Sequence, residues 1–531
     1  MRIAAICFSL GLVLALSGCQ RAHPPFVYAY NEDDGMYFGS IPAENYKKHL
    51  DDVCRGPITH FMACPNSMRS NVDSKVFDPI WMALDEKDLG VVPDGRCTAG
   101  KWMHEHGVDP YAAYYARAHE RGISAWISMR MNDIHWVTKP TYCALSRFWR
   151  QHPEFRRVTT PASPNGGWNW GDYAFDYSHK EVRDYHVAYA RELLGRYDLD
   201  GFEADWLRSC QCLTPGKARE QSGCIDEVMR EIRKAADAAA KRLGRRVCVA
   251  ARVPSNRAVA RDLGFDVETW VKERLVDVLV PCNDFRNIDF RMDYAEWDAL
   301  TKIDPNLRIV VGVDAGIAKE FLPLKAPGAT PRSLVTRAEL RGWAERLYAA
   351  GCRGVYFFNL FQHPMDDPNS VYNWVLNGGL LPERVSRGGK RVYVLTQNDF
   401  PMVDSEALRA DPNVFGPLPS ALDKSVELTI GIGKPLPGAR VRVRVALDVE
   451  NVPADLAETV RLNGRKPVAC DAVPVKTWIP QTRFSKSSID CEFPADAVVP
   501  GSNRVTLGGG FPGVSAYACE LELDDGKEGC P

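Results

Sequence analysis

The sequence predicts an α/β fold: a (β/α)8 TIM barrel followed by a C-terminal antiparallel β-sandwich. Two observations carry the prediction. Between residues 26 and 362, eight short apolar runs alternate with helical stretches, as a closed parallel sheet requires. After about residue 386, short β-prone runs are separated by Gly, Pro and Asn, the texture of antiparallel strands.

The barrel runs are 26–30, 58–63, 123–129, 199–206, 246–252, 276–281, 308–313 and 354–360. Helix signals lie between them. Ser178 and Glu181 have capping-box spacing, Val182, Tyr185, Tyr189 and Leu193 share a face, and Gly195 reads as the stop. Asp109-Pro110 opens another helix that closes near Gly122, and two more end at Gly244 and Gly351. A doubly wound open sheet is the alternative, but no Gly-rich phosphate loop follows the first run. Residues 132–176 form a long insertion rich in Trp, Pro and Gly, on the face where barrel loops build sites. The later strand-like runs are 390–395, 426–432, 439–449, 458–462, 488–493 and 503–507. The expected organisation is a leader at 1–18, a barrel at 26–385 and a sandwich at 386–531.

The first residues read as an export signal: Arg2, an uncharged apolar stretch over 3–16, then Leu16-Ser17-Gly18-Cys19. Small residues ending at a cysteine resemble the lipobox of bacterial lipoproteins. That resemblance implies cleavage before Cys19, acylation of Cys19 and a membrane held through lipid. Gln20 in place of Asp points to the outer membrane. A net charge of -2 gives no basic surface for nucleic acid. Nothing in the sequence speaks to oligomeric state.

No cofactor or metal is expected. His104 and His106 are two residues apart, so they do not share a helical face, and Cys210-Gln-Cys212 lacks zinc spacing. Of the 16 cysteines, Cys210, Cys212 and Cys224 form one candidate disulfide group and Cys470, Cys491, Cys519 and Cys530 another.

The stretch Asp198-Leu199-Asp200-Gly201-Phe202-Glu203-Ala204-Asp205-Trp206-Leu207-Arg208 carries the candidate chemistry. In a strand, Glu203 and Asp205 share a face and Phe202, Ala204 and Trp206 take the other. Two neighbouring buried carboxylates repel, so one holds its proton while the other ionises. That is the acid–base pair needed at a glycosidic bond. Asp205 is the first candidate catalytic residue, with Glu203, Asp284 or Asp314 as partner. A scaffold role, with one carboxylate bound to Arg208 or Arg252, is the alternative. Polar residues at other strand ends suit a sugar's hydroxyls: Arg130, Asn132, Asp133, Arg252, Asn283, Asn359 and His363. Trp206, at the strand exit, is counted with them although alternation turns it to the helices. The arginines also admit an anionic glycan.

The Tyr197-Asp198-x-Asp200-Gly201 run, with Asp205 at the strand end, resembles the family-10-like bacterial lipoproteins classed as glycosyl hydrolases. Residues 128–133 and 175–178 echo it, over about 26–385. The resemblance implies a TIM-barrel hydrolase acting on a poly- or oligosaccharide. The strand is also similar to that of family 18 chitinases, but Leu207 stands where their catalytic Glu would be. A polysaccharide-binding lipoprotein without catalysis is the rival reading.

Overall fold

The computed structural model describes residues 26–32, 42–159, 170–283, 288, 290–317, 333–396, 403, 405–409, 411, 414, 416–474 and 487–527. The expected leader, Cys19, Asp284 and Cys530 lie outside them.

All eight barrel runs form strands: β1 Val27–Glu32, β2 His60–Ala63, β3 Ser124–Arg130, β4 Gly201–Asp205, β5 Cys248–Pro254, β6 Val278–Cys282, the pair β7 Arg308–Ile309 and β8 Val311–Val313, and later Gly354–Phe357. Two-residue strands β9 Gly316–Ile317 and β10 Ser333–Leu334 pair with each other outside the barrel, which makes Gly354–Phe357 β11. The parallel order is β7-β6-β5-β4-β3-β2-β1-β11-β8. Since β7 and β8 are one strand interrupted at Val310, the sheet closes on itself through residues 308–313. This is a (β/α)8 barrel, followed by antiparallel sheets.

Alternation divides each strand between two environments. Inward residues such as Val27, Ala29, Met62, Trp126, Val280 and Val310 fill the lumen as one apolar cluster. Outward residues such as Phe202, Ala204 and Trp206 join the larger core beneath the helices. Gly201 makes room for the Trp126 ring, since a Cβ there would meet its carbons at 2.3 Å. Asp200 pins the start of β4: it accepts from the Ala125 amide at 2.9 Å, from His119 at 3.0 Å and from Arg245 at 3.1 Å.

Helix ends show which local signals won. Asp109 caps Pro110–Glu120 by accepting from the amides of Tyr111 and Ala112. The expected box at Ser178 and Glu181 does not form: helix Lys180–Arg196 starts behind His179, and the Ser178 amide donates to Asp176 instead. Gly195 lies inside that helix rather than ending it. The capping box that does form is Thr336 with Glu339, at the start of Arg337–Ala349.

Beyond the barrel come β12 Arg391–Thr396, β13 Ser420–Ala421, β14 Val426–Ile432, β15 Arg440–Leu447, β16 Arg461–Leu462, β17 Ala469–Pro474, β18 Ser487–Phe493, β19 Gly501–Leu507 and β20 Ser515–Asp524. They form two antiparallel sheets, β12-β20-β15-β18-β17 with β13 on β20, and β14-β19-β16. Leu428, Ile430 and Ile432 on one and Val441, Val443 and Val445 on the other are buried in the same cluster. Cys470 and Cys491, opposite each other on β17 and β18, form a disulfide. Among the described residues Cys210, Cys212 and Cys224 are not joined to one another, and the second candidate group supplies this one pair.

Glu345, on helix Arg337–Ala349, joins the two parts. Its carboxylate accepts from Tyr393 Oη at 2.7 Å and from the amides of Gly433 and Lys434 at 3.0 and 2.6 Å.

Candidate active site

Strand register stacks the inward polar residues of the barrel in two layers. Glu203 on β4 is level with Ser128 on β3 and Ala250 on β5; one step towards the strand ends, Asp205 is level with Arg130 and Arg252. The two carboxylates share a face, as alternation predicts, but their environments differ.

Asp205 is a bound anion. Arg252 donates through Nε to Oδ1 at 2.9 Å and through Nη2 to Oδ2 at 3.0 Å, while the amides of Leu207 and Arg208 donate to Oδ1 at 3.1 and 3.2 Å. The guanidinium lies 3.9 Å from the centre of the Phe358 ring. Both oxygens accept hydrogen bonds, three on Oδ1 and one on Oδ2, which is the arrangement the scaffold alternative expects.

Glu203 is the opposite case, and is wholly buried. Oε1 accepts from Ser128 Oγ at 2.6 Å and from Tyr356 Oη at 2.8 Å, and Asn31 Nδ2 donates to the same tyrosine oxygen at 2.7 Å. Among the described residues Oε2 has no hydrogen-bond partner, and neither has Asn31 Oδ1. Burial, then the nearby Asp205 charge, pushes this carboxyl up to about 7 against the pull of Arg252, Ser128 and Tyr356. Near neutral pH both its protonated and its ionised form are therefore populated.

At the barrel mouth, Asp133 accepts from Arg130 Nη1 at 2.8 Å and from His135 Nδ1 at 3.0 Å. Burial and Arg208 push His135 down, so its ring is neutral at pH 7, donating from Nδ1 and accepting from Arg208 at Nε2. Burial opposes charge on Asp133, yet His135, protonated in the acidic range where a carboxyl titrates, and then Arg130 hold it well below the usual carboxylate range. Across the mouth, Asp314 follows β8 and accepts from the Ala315 amide at 2.6 Å and from Asn359 Nδ2 at 3.0 Å. Asn359 has a positive φ of 54°. Burial pushes His363 down to about 4 while a ring N–H donates to the Ala315 backbone; among the described residues its Nε2 has no partner. Asn283 accepts from Ser255 Oγ at 3.0 Å.

Two expected binding residues fall away. Trp206 is 0 % exposed and packs outward against Tyr177 and Phe265, with its Nε1 donating to Met229 Sδ at 3.4 Å. Asn132 uses its amide on the Phe175 backbone, accepting at 3.1 Å and donating at 2.9 Å, which pins the insertion. Arg130 and Arg252 are each bound by a carboxylate, which weakens the expectation of an anionic glycan.

Four residues escaped the sequence reading. Asn31, Ser128 and Tyr356 follow from applying to β1, β3 and β11 the alternation used on β4. Trp136 follows His135 on the mouth loop, is 62 % exposed and holds a positive φ of 57°. That backbone region is an outlier for a bulky residue and concentrates at functional sites. Its ring lies 6.2 Å from that of Tyr142.

No family model matches this chain, and no curated protein matches it. Solved structures do. An α-galactosidase from Thermus thermophilus is 15% identical over 70% of this chain and 64% of its own, with a TM-score of 0.35. The PgaB (BpsB) glycoside hydrolase domain of Bordetella bronchiseptica is 10% identical over 63% and 94%, with a TM-score of 0.39. A family GH18 chitinase from Chromobacterium violaceum is 11% identical over 95% and 91%, with a TM-score of 0.35. The chain spans less than two thirds of the α-galactosidase. These structural neighbours are glycoside hydrolases; at such distances, substrate and mechanism have to be argued from this chain's own residues.

Proposed function

We propose that the chain is a glycoside hydrolase that cleaves a poly- or oligosaccharide, with Glu203 as its general acid. The observation that carries the reading is the Glu203 carboxyl itself. It is buried, titrates near neutrality, is aimed by Ser128 and Tyr356, and has Oε2 unsatisfied. Such a group delivers a proton to a leaving oxygen and recovers it from water. Asp314 is the second carboxylate, held by Asn359 and the Ala315 amide. Asp205 and Arg252 brace the layer between the acid and the barrel mouth. Trp136 and Tyr142 offer aromatic faces on which a sugar ring can lie. The lipobox-like sequence adds an envelope enzyme, anchored through Cys19 at the outer membrane.

The test is release of new reducing ends from a polysaccharide panel by the full chain. Glu203→Gln and Asp314→Asn are expected to lower the rate by about 10²–10⁴. Cleavage unchanged in Glu203→Gln would remove the acid assignment.

One observation favours a second reading, a saccharide-binding protein without catalysis: Asp205, the first candidate by sequence, has both oxygens committed to Arg252 and backbone amides. Retention on one glycan in an affinity gel, with no cleavage by the parent, would establish that reading.

A further inference from the structure

Two thiols meet away from the barrel lumen, beneath the loop that carries the mouth residues. Cys97 belongs to helix Gly95–Glu105, and Cys143 to the segment between β3 and helix Arg147–Gln151. Their exposures are 0 % and 1 %. The two sulfurs and an Asp94 oxygen lie within 4.8 Å of one another, and the thiols are hydrogen-bonded. Ile80, Ala83, Val91 and Ala144 enclose them in a small apolar cluster separate from the main core. Arg96 donates to Cys143 Sγ at 3.6 Å and to Tyr142 Oη at 2.8 Å, and it also binds Asp94.

We propose that Cys97 and Cys143 are joined by a disulfide in the mature protein. The chemistry is asymmetric in the way thiol–disulfide exchange requires. The hydrogen bond from Cys97, assisted by Arg96, pushes Cys143 down to about 7, so it is the thiolate of the pair. The oxidant is a protein or small-molecule disulfide. Cys143 Sγ attacks one of its sulfurs and expels the other as a thiolate. Cys97, losing its proton to solvent, then attacks Cys143 Sγ and expels the second sulfur. The chain gives up two protons and two electrons, and the oxidant leaves as a dithiol. Both sulfurs are buried, so the finished bond is sheltered from reductants.

A thiophilic cation is the competing occupant of these three ligands. Arg96 argues against it: its guanidinium already lies on both Asp94 and Cys143, and a structural zinc site draws on four ligands. The bond would tie helix Gly95–Glu105 to the loop bearing Asp133, His135 and Trp136.

The test uses the full chain made in an oxidising compartment, in a sample in which Cys470 is found joined to Cys491. Thiols are alkylated in denaturant without reductant and the chain is cut with trypsin. The expected product is peptide 97–101 linked to peptide 131–147, lighter by two hydrogens than the separate peptides and lost on reduction. The Cys97→Ala/Cys143→Ala variant should lack it. Alkylation of both cysteines without reductant would overturn the proposal, and so would one equivalent of zinc released from the parent and absent from that variant.

Discussion

Asp205 and Arg252 face each other across β4 and β5 and close a two-pronged ion pair at the exit of the barrel, with N–O distances of 2.9 and 3.0 Å. The pair is buried, so neither partner is expendable alone. Asp205→Ala leaves an uncompensated guanidinium and should lower unfolding free energy by about 3–5 kcal/mol. Arg252→Met beside it should restore part of the loss. Denaturant unfolding of the single and double variants measures both; a loss below about 1 kcal/mol in Asp205→Ala would mean the pair is solvated.

Glu203 gives a pH signature independent of any substrate. Its carboxyl lies near 7 in the folded chain against an ordinary 4.5, so folding tightens its hold on the proton. Its contribution to stability is complete below pH 4.5 and is lost as pH rises to 7, at roughly 1.4 kcal/mol per pH unit between them. The stability difference between parent and Glu203→Gln should fall across that window and level off above it. A difference flat with pH would return Glu203 to the ordinary range.

Gly201 and Gly195 should respond to alanine in opposite directions. At Gly201 the new methyl group meets Trp126 at 2.3 Å, and overpacking of this kind costs about 1–3 kcal/mol. At Gly195, inside Lys180–Arg196, nothing lies within 4 Å, and alanine should stabilise by about 0.5–1 kcal/mol. Paired denaturation midpoints decide.

Trp136→Gly separates stability from binding. Glycine relieves the positive φ of 57°, which is worth about 1 kcal/mol, and removes the exposed ring. The variant should melt higher and migrate faster than the parent in a glycan affinity gel. Equal migration would leave the indole without a part in saccharide binding.

Much of the barrel was legible because strand and helix periods differ and because eight alternating units fit a closed parallel sheet. Glu203 and Asp205 fell on one face for the same reason. The binding of Asp205 by Arg252 was not legible as a settled role, since it depends on the register between β4 and β5, which no single strand encodes. Ser178 did not form the capping box because the neighbouring Asp176 took its amide and the helix began one residue later, behind His179. Asn132 looked like a ligand-binding amide until the Phe175 backbone, far along the chain, was brought to it. The acid's supports, Ser128 and Tyr356, come from two other strands, so their meeting is a property of the closed sheet.

Glu345 bears on how the gene can be divided. A boundary drawn near residue 386 looks natural in sequence, yet it would part a buried carboxylate from the Tyr393 hydroxyl and the two amides it serves. A barrel truncated there carries a stranded anion, and the excised sheets carry orphaned donors. The C-terminal sheets are therefore poor material for module shuffling: recombination at that point would yield two damaged halves.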